Sequence, residues 1–545
     1  MSGMALLLGS SAIFLIAYIT YGSWLSKKWG IDAARKTPAH TQRDGVDYVP
    51  TKPIVLLGHH FSSIAGAGPI VGPITAAVFG WVPVVLWVLI GSIFFGGVQD
   101  YGSLVASLRH KGQTIGEIID STIGRRGKFL FSIFAWLTLI VVLAAFANIV
   151  AATFVASPQS ATSSMLFIAL AVVFGLAVYR GGAPLGISSV IGVAALIGCM
   201  YLGHQFPIAL SKNVWIGILM AYIFVASIAP VWILLQPRDY LNSFLLYAMI
   251  LFAFAGIILY QPEMKLAPVT SFDMGNGNLL FPMLFVTVAC GAISGFHSLV
   301  GSGTSSKQLD NEKDAKAIGY GSMLIEGVLA VIAIIAAGYV GGDKLTALLK
   351  AGGPVNVFAD GVGVFMTKFG FSFAVAKGFV ALTISAFALT TLDTATRLGR
   401  FIFQEMFTQV NEGTGEVKQS ILANPYVATL ITIAVSAYMA TGSYTTIWPI
   451  FGAANQLLAA LALLAIAVWL RSANLDCGMV VAPMVFMFAV TLTALLQLIY
   501  FSWIGGNLLV AFLSVFLFAL SLALAWEGYR VIMRKVASKV RVGVD

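Results

Sequence analysis

Apolar runs of about twenty residues, long enough to cross the hydrocarbon of a bilayer as a helix, recur along the whole chain. They predict about fifteen spanning helices. The first eight run over 4–24, 54–78, 82–108, 128–155, 164–179, 185–203, 214–235 and 240–260, and the rest over 280–302, 316–340, 371–396, 425–441, 444–470, 478–500 and 506–530. One run is interrupted. Between Ile54 and Trp81, the stretch from His59 to Pro73 holds two adjacent histidines, two serines, three glycines and two prolines. A helix broken inside lipid leaves backbone N–H and C=O groups unsatisfied, so it survives only beside protein or a watery cavity. The pattern therefore predicts a cavity beside residues 59–73.

Composition fixes the class. With 545 residues, 59% of them hydrophobic and 10% charged, and a mean hydropathy of +0.93, the chain carries more apolar surface than one soluble core can hide. It reads as an all-α polytopic membrane protein. Cys199, Cys290 and Cys477 are far apart, have no metal-ligand spacing, and read as small packing residues. The first apolar run lacks a charged leader and a small-residue cleavage site, and reads as a retained helix. With the N-terminus outside, only Lys212, Lys265, Lys344, Lys350, Lys368 and Lys377 of the 31 Lys and Arg fall on the outer side or within helices. The remainder lie on the cytoplasmic side, so an N-out, C-in topology is expected, in a bacterial inner membrane. The tail residues Arg530, Arg534, Lys535, Lys539 and Arg541 then read as a lipid-headgroup anchor rather than a nucleic-acid patch.

This topology divides the chain into an N-terminal helix with a basic loop (1–53), five helices starting at the inner face (54–203), five starting at the outer face (214–396), and peripheral helices with a basic tail (425–545). Two five-helix blocks of opposite orientation are what an inverted repeat requires, and its first members should both be interrupted. The second block opens with Phe224–Trp232, in which Ser227 and Pro230 lie at a comparable depth.

Ionisable residues inside spans face the bundle interior and mark substrate or ion pathways. Asp100, Glu326 and Asp393 are the candidates for carrying a coupling proton; for Asp393 a fixed ion pair with Arg397 or Arg400 is the alternative. Ser294 and Ser298 are four apart and should share a helix face, with His297 beside them. His59 and His60 point about 100° apart on a helix and cannot form an i, i+4 metal pair. A substrate contact, a pH-sensitive gate and hydrogen bonds to freed carbonyls all remain open for them. A haem or zinc shared with His297, in an intramembrane metal protein, is a second reading, and a passive channel is a third; neither uses an interrupted helix as naturally as a transporter does. No cofactor, resident metal or enzymatic activity is expected.

The run Gly58-His59-His60-Phe61 through Ile64-Ala65-Gly66-Ala67-Gly68-Pro69-Ile70-Val71-Gly72-Pro73 resembles the signature of the carbon starvation protein A (CstA) family. Gly97–Tyr101, Arg109–Gly112, Gly295–Ser298, Ser302–Thr304 with Lys307 and Gln308, Ala317–Gly321 and Leu392–Arg397 match it in order, over roughly residues 24–460. The resemblance implies a bacterial uptake system for peptides, or for pyruvate with protons, on a fold similar to the leucine-transporter type. The broken helix supplies the expected mechanism. Backbone N–H groups of Gly66, Ala67 and Gly68, at the positive end of the half-helix begun by Pro69, bind a substrate carboxylate. Ser62, Ser63, Ser294 and Ser298 complete the lining, and His59, His60 or His297 orients the anion. Alternating access around this site, with a proton (or sodium) as coupling ion, gives a secondary active transporter for pyruvate or short peptides. Its partners are the substrate, the coupling ion and the bilayer, not nucleic acid.

Overall fold

A computed structural model describes residues 2–533 apart from Val46, Val231, 274–278, 411–416 and Ser443. The proposed anchor residues Arg534, Lys535, Lys539 and Arg541 lie outside the described residues.

The chain is helical almost throughout. Helix α1 (Gly3–Lys28) leads into a basic segment that returns to α2 (Pro53–Ile64) and α3 (Gly68–Phe79), a pair bent by 40°. There follow α4 (Trp81–Arg109), the short α5 (Ile115–Thr122), α6 (Arg125–Ala156), α7 (Pro158–Arg180), α8 (Leu185–Gln205), α9 (Lys212–Ile228) and α10 (Leu235–Tyr260). The next span is again interrupted, into α11 (Leu280–Val288) and α12 (295–308). The remainder are α13 (Glu312–Val340), α14 (Gly342–Met366), α15 (Phe373–Phe407), α16 (Pro425–Ala440), α17 (Tyr444–Ser472), α18 (Gly478–Ile504) and α19 (Leu508–Met533). Two three-residue strands after α15 pair as a hairpin. Among the described residues twelve helices are long and apolar enough to cross a membrane alone, and the bent α2–α3 pair makes a thirteenth span; α9 and α16 are shorter.

Burial separates centre from rim. Every residue in the most apolar window of α17 is buried, against 11% in α8. Around α17 pack α6, α12 and α18; α6 also packs along α15. Helices α9 and α16 lie against each other and both touch α6 and α15, while α10 supports α2. The α7–α8 hairpin leans on α10 from outside.

Three expectations fail here. Phe224–Trp232 is not a mid-span break: α9 ends at Ile228, and Pro230, which cannot continue a helix, begins the link to α10. Val231 lies outside the described residues. The run 444–470 is not peripheral, because a lipid-facing and a protein-facing apolar helix read alike when both surroundings are apolar. Residues 341–370, between two expected spans, form α14, kinked at Gly352 and Gly353 and packed on α10, α13 and α15.

Candidate functional site

The two interruptions lie side by side, because α3 packs against α11 and residues 289–291. At the first, Gly66 lies at the middle of a three-residue break, Gly68 opens α3, and Pro69 sits in the first turn of α3, where its missing N–H costs nothing. A Cβ on Gly66 would lie 2.5 Å from Thr391 Oγ1, and one on Gly68 2.6 Å from Cys290 Sγ. Only glycine permits this approach. Ala65 N–H donates to Phe61 O and Gly66 N–H to Ile64 O, whereas among the described residues the N–H groups of Ala67 and Gly68 find no backbone acceptor. At the second interruption a side chain fills the gap. Asn455 of α17 accepts from Phe296 N–H at 3.0 Å through Oδ1, and its Nδ2 donates to Ser294 Oγ at 3.0 Å.

Beside them lies a buried ionisable triad. His297 places Nδ1 2.8 Å from Asp100 Oδ2 and Nε2 3.5 Å from Glu326 Oε2, and all three side chains are fully buried. Each comes from a different helix: α4, α12 and α13. Each of those helices carries a π-helical turn within about two turns of its member of the triad, at Ser92–Gly96, Gly301–Ser305 and Lys316–Gly321. Such widened turns break register locally and gather at functional sites. His60 joins the two broken spans through Nδ1, 2.7 Å from Ser305 Oγ.

Around this centre the Oγ atoms of Ser62, Ser63 and Ser103, both side-chain polar atoms of Gln99, Oγ1 of Thr391 and Nε2 of His60 are buried without a hydrogen-bond partner among the described residues. Nearly all such groups are paired in protein interiors, so this concentration marks a place built for water or a ligand.

The expected site residues divide into two groups. His60, Ser62, Ser63, Gly66, Ala67, Gly68, Ser294, His297 and Ser298 are all buried on or between the broken helices. Ser294 and Ser298 do not share a helix face, because Ser294 is extended and precedes α12. Ser298 Oγ donates to Gly295 O at 2.7 Å. Asp100 and Glu326 meet through His297. His59 and Asp393 belong elsewhere. Asp393 pairs with Arg238 rather than with Arg397 or Arg400, and accepts from Tyr222 OH at 2.6 Å. Arg397 instead donates to the carbonyls of Ala226 and Ala229 at the end of α9, which its position one turn along α15 favours. His59 Nδ1 lies 3.4 Å from Asp239 Oδ2. Sequence reasoning passed over Asn455 and Arg238. For Asn455 the signal was two consecutive amides, Asn455-Gln456, inside a long apolar run. Among the described residues no group of three or more His, Cys, Asp and Glu side chains is arranged to hold a metal ion.

Cavities of 190 and 650 Å³ lie at the basic end of the bundle and share Val49, His59, Gln236 and Gln308. A third, of 310 Å³, lies at the opposite end beneath α14, lined in part by Gln159, Asn356 and Lys377.

Two interrupted spans meeting beside buried ionisable groups in an all-helical bundle define a polytopic membrane transporter. The fold agrees with that of a solved manganese transporter from Eremococcus coleocola, 14% identical with a TM-score of 0.51 over 92% of this chain and 98% of that one. The chain belongs to the carbon starvation protein CstA family, whose model matches residues 2–348 and 342–494. It is 34% identical to the peptide transporter CstA of Campylobacter jejuni, over 85% of this chain and 75% of the relative. Against two Escherichia coli proteins, the peptide transporter CstA and the pyruvate/proton symporter BtsT, it is 33% and 32% identical, each over 85% of this chain and 76% of the relative. These relatives are transporters, not enzymes.

Proposed function

We propose that the chain is a proton-coupled secondary transporter that imports a small carboxylate-bearing nutrient, pyruvate or a short peptide, by alternating access. The observation that carries this reading is His297 held between Asp100 and Glu326, wholly buried and next to both interruptions. One imidazolium between two carboxylates leaves a negative charge uncompensated in a dry site, which is expensive. A single transferable proton removes it. The free N–H groups of Ala67 and Gly68, with Ser62, Ser63 and Thr391, form the seat for the substrate carboxylate, favoured by the positive end of α3. Substrate and proton then occupy adjoining positions, so each stabilises the state that carries the other. The names of the peptide and pyruvate transporters among the relatives support a carboxylate-bearing substrate.

The basic end of the bundle is assigned to the cytoplasm of a bacterial inner membrane, with the N-terminus outside. The packing supports an inverted repeat divided differently from the order along the chain. One unit comprises α2–α3, α4, α6, α9 and α10, and the other α11–α12, α13, α15, α16 and α17. Matching contacts relate them: α9 with α16, α2 on α10 and α12 on α17, α5 on α6 and α14 on α15. The α7–α8 hairpin is then an insertion, and the second interrupted span is 280–308.

The test is accumulation of labelled pyruvate and, separately, of a labelled dipeptide in proteoliposomes under an imposed proton gradient. Accumulation of either above equilibrium, abolished by a protonophore, is expected. Equilibration without accumulation would favour a passive channel.

A further inference from the structure

A second buried charged cluster lies away from the triad. Arg238, at the start of α10 and 1% exposed, pairs with Asp393 of α15 and lies 3.5 Å from Asp239 Oδ1; both carboxylates are fully buried. Tyr222 of α9 closes the far side. Among the described residues Asp239 Oδ2 makes no hydrogen bond, and His59 Nδ1 lies 3.4 Å from it. The His59 side chain is 15% exposed and lines both cavities at the basic end, while its two ring nitrogens are themselves buried.

We infer that His59 and Asp239, backed by Arg238 and Asp393, form a second protonation site through which the coupling proton leaves to the basic-end cavities. This rests on the proton coupling proposed above and adds the place of release. Within ion-pair reach one guanidinium faces two carboxylates, so an imidazolium at His59 completes the charge balance, and its loss leaves a buried carboxylate short of a partner. Imidazole is the side chain suited to exchanging a proton with water near neutral pH. In the step itself, a water admitted from the adjoining cavity reaches the ring nitrogen, the N–H bond of the His59 imidazolium breaks with its electron pair staying on the ring, and that water takes the proton. His60, the next residue on α2, points about 100° away and bonds Ser305 of the second broken span, so this one half-helix contacts both His59's site and the span that carries His297.

The other charged groups around His59 are accounted for by element. On α15, Arg397 is committed to the α9 carbonyls and Glu405 lines the far part of the smaller cavity. Lys307 of α12 and Asp47 of the basic segment line the same cavity, and Arg180 and Tyr179 of α7 with Tyr240 of α10 line the larger one. The recorded ion pair of His59 is with Asp239.

The experiment compares two assays of labelled pyruvate or dipeptide, whichever the wild type accumulates, in proteoliposomes: accumulation driven by a proton gradient, and counterflow at equal pH, which requires no net proton release. Asp239→Asn should keep counterflow close to wild type while accumulation falls about tenfold, the scale of coupling between linked sites. Asp239→Glu should restore accumulation, and His59→Gln should lose it and flatten its dependence on interior pH. Wild-type accumulation in D239N, or loss of both assays in step in D239N and H59Q, overturns the second site. Should D239N not insert, H59Q alone decides by its pH profile. If the wild type itself accumulates nothing under a proton gradient, the coupling reading falls and takes this inference with it.

Discussion

The two interrupted spans face one another but are finished differently. At the α11–α12 break the chain is capped in part from outside: Asn455 satisfies Phe296 N–H and holds Ser294 Oγ, while among the described residues the N–H groups of Ser294 and Gly295 find no backbone acceptor. At the α2–α3 break the corresponding donors of Ala67 and Gly68 are left unmade, with the hydroxyls of Ser62, Ser63 and Thr391 unpartnered close by. A buried donor without a partner costs about 1–3 kcal/mol. Among the described residues the first break gathers more unpartnered polar groups than the second. On the function proposed above, this difference gives substrate to the first break and stability to the second.

The assignment can be broken most directly at Gly68. A valine there would collide with Cys290 Sγ and displace the donors by about an ångström, and such misplacement costs on the order of a hundredfold in function. Uptake by Gly68→Val should therefore be abolished while membrane insertion persists; full transport by an inserted G68V protein would remove the substrate from this break. Asn455→Ala should behave in the opposite sense. It orphans the buried Phe296 N–H, so thermal unfolding in detergent should show a loss of about 1–3 kcal/mol, with the apparent KM for substrate changed less than the stability. A large KM effect with unchanged stability would place the ligand at the second break instead. The smallest effect is expected for Ser62→Ala. Its hydroxyl has no partner among the described residues, so stability should be unchanged or slightly raised, and KM should rise several-fold if the hydroxyl meets substrate.

Much of this arrangement was legible in the sequence. Long apolar runs located the spans, and polar, glycine and proline residues inside one run located the first break, because lipid cannot satisfy freed backbone groups. The cost of charge in a membrane singled out Asp100, Glu326 and Asp393. What could not be read was pairing. That Asp100 and Glu326 share His297, and that Asp393 takes Arg238 rather than the nearby Arg397, depends on which helices pack together. Arg238 read as a cytoplasmic cation between the expected spans 214–235 and 240–260, yet it is buried in the first turn of α10. The second break was sought at Pro230 and lies at 289–294, where the interruption is carried by small residues without a proline.

The central claim, that the Asp100–His297–Glu326 triad carries a proton together with substrate, is tested most directly by the pH change that substrate addition causes outside proteoliposomes holding wild-type protein or Glu326→Gln. The account predicts external alkalinisation on adding pyruvate or a dipeptide to the wild type. In E326Q the alkalinisation should be absent while counterflow of labelled substrate continues, since the amide keeps the shape of the site but takes up no proton. Alkalinisation by E326Q equal to the wild type, with the same substrate flux, would contradict it.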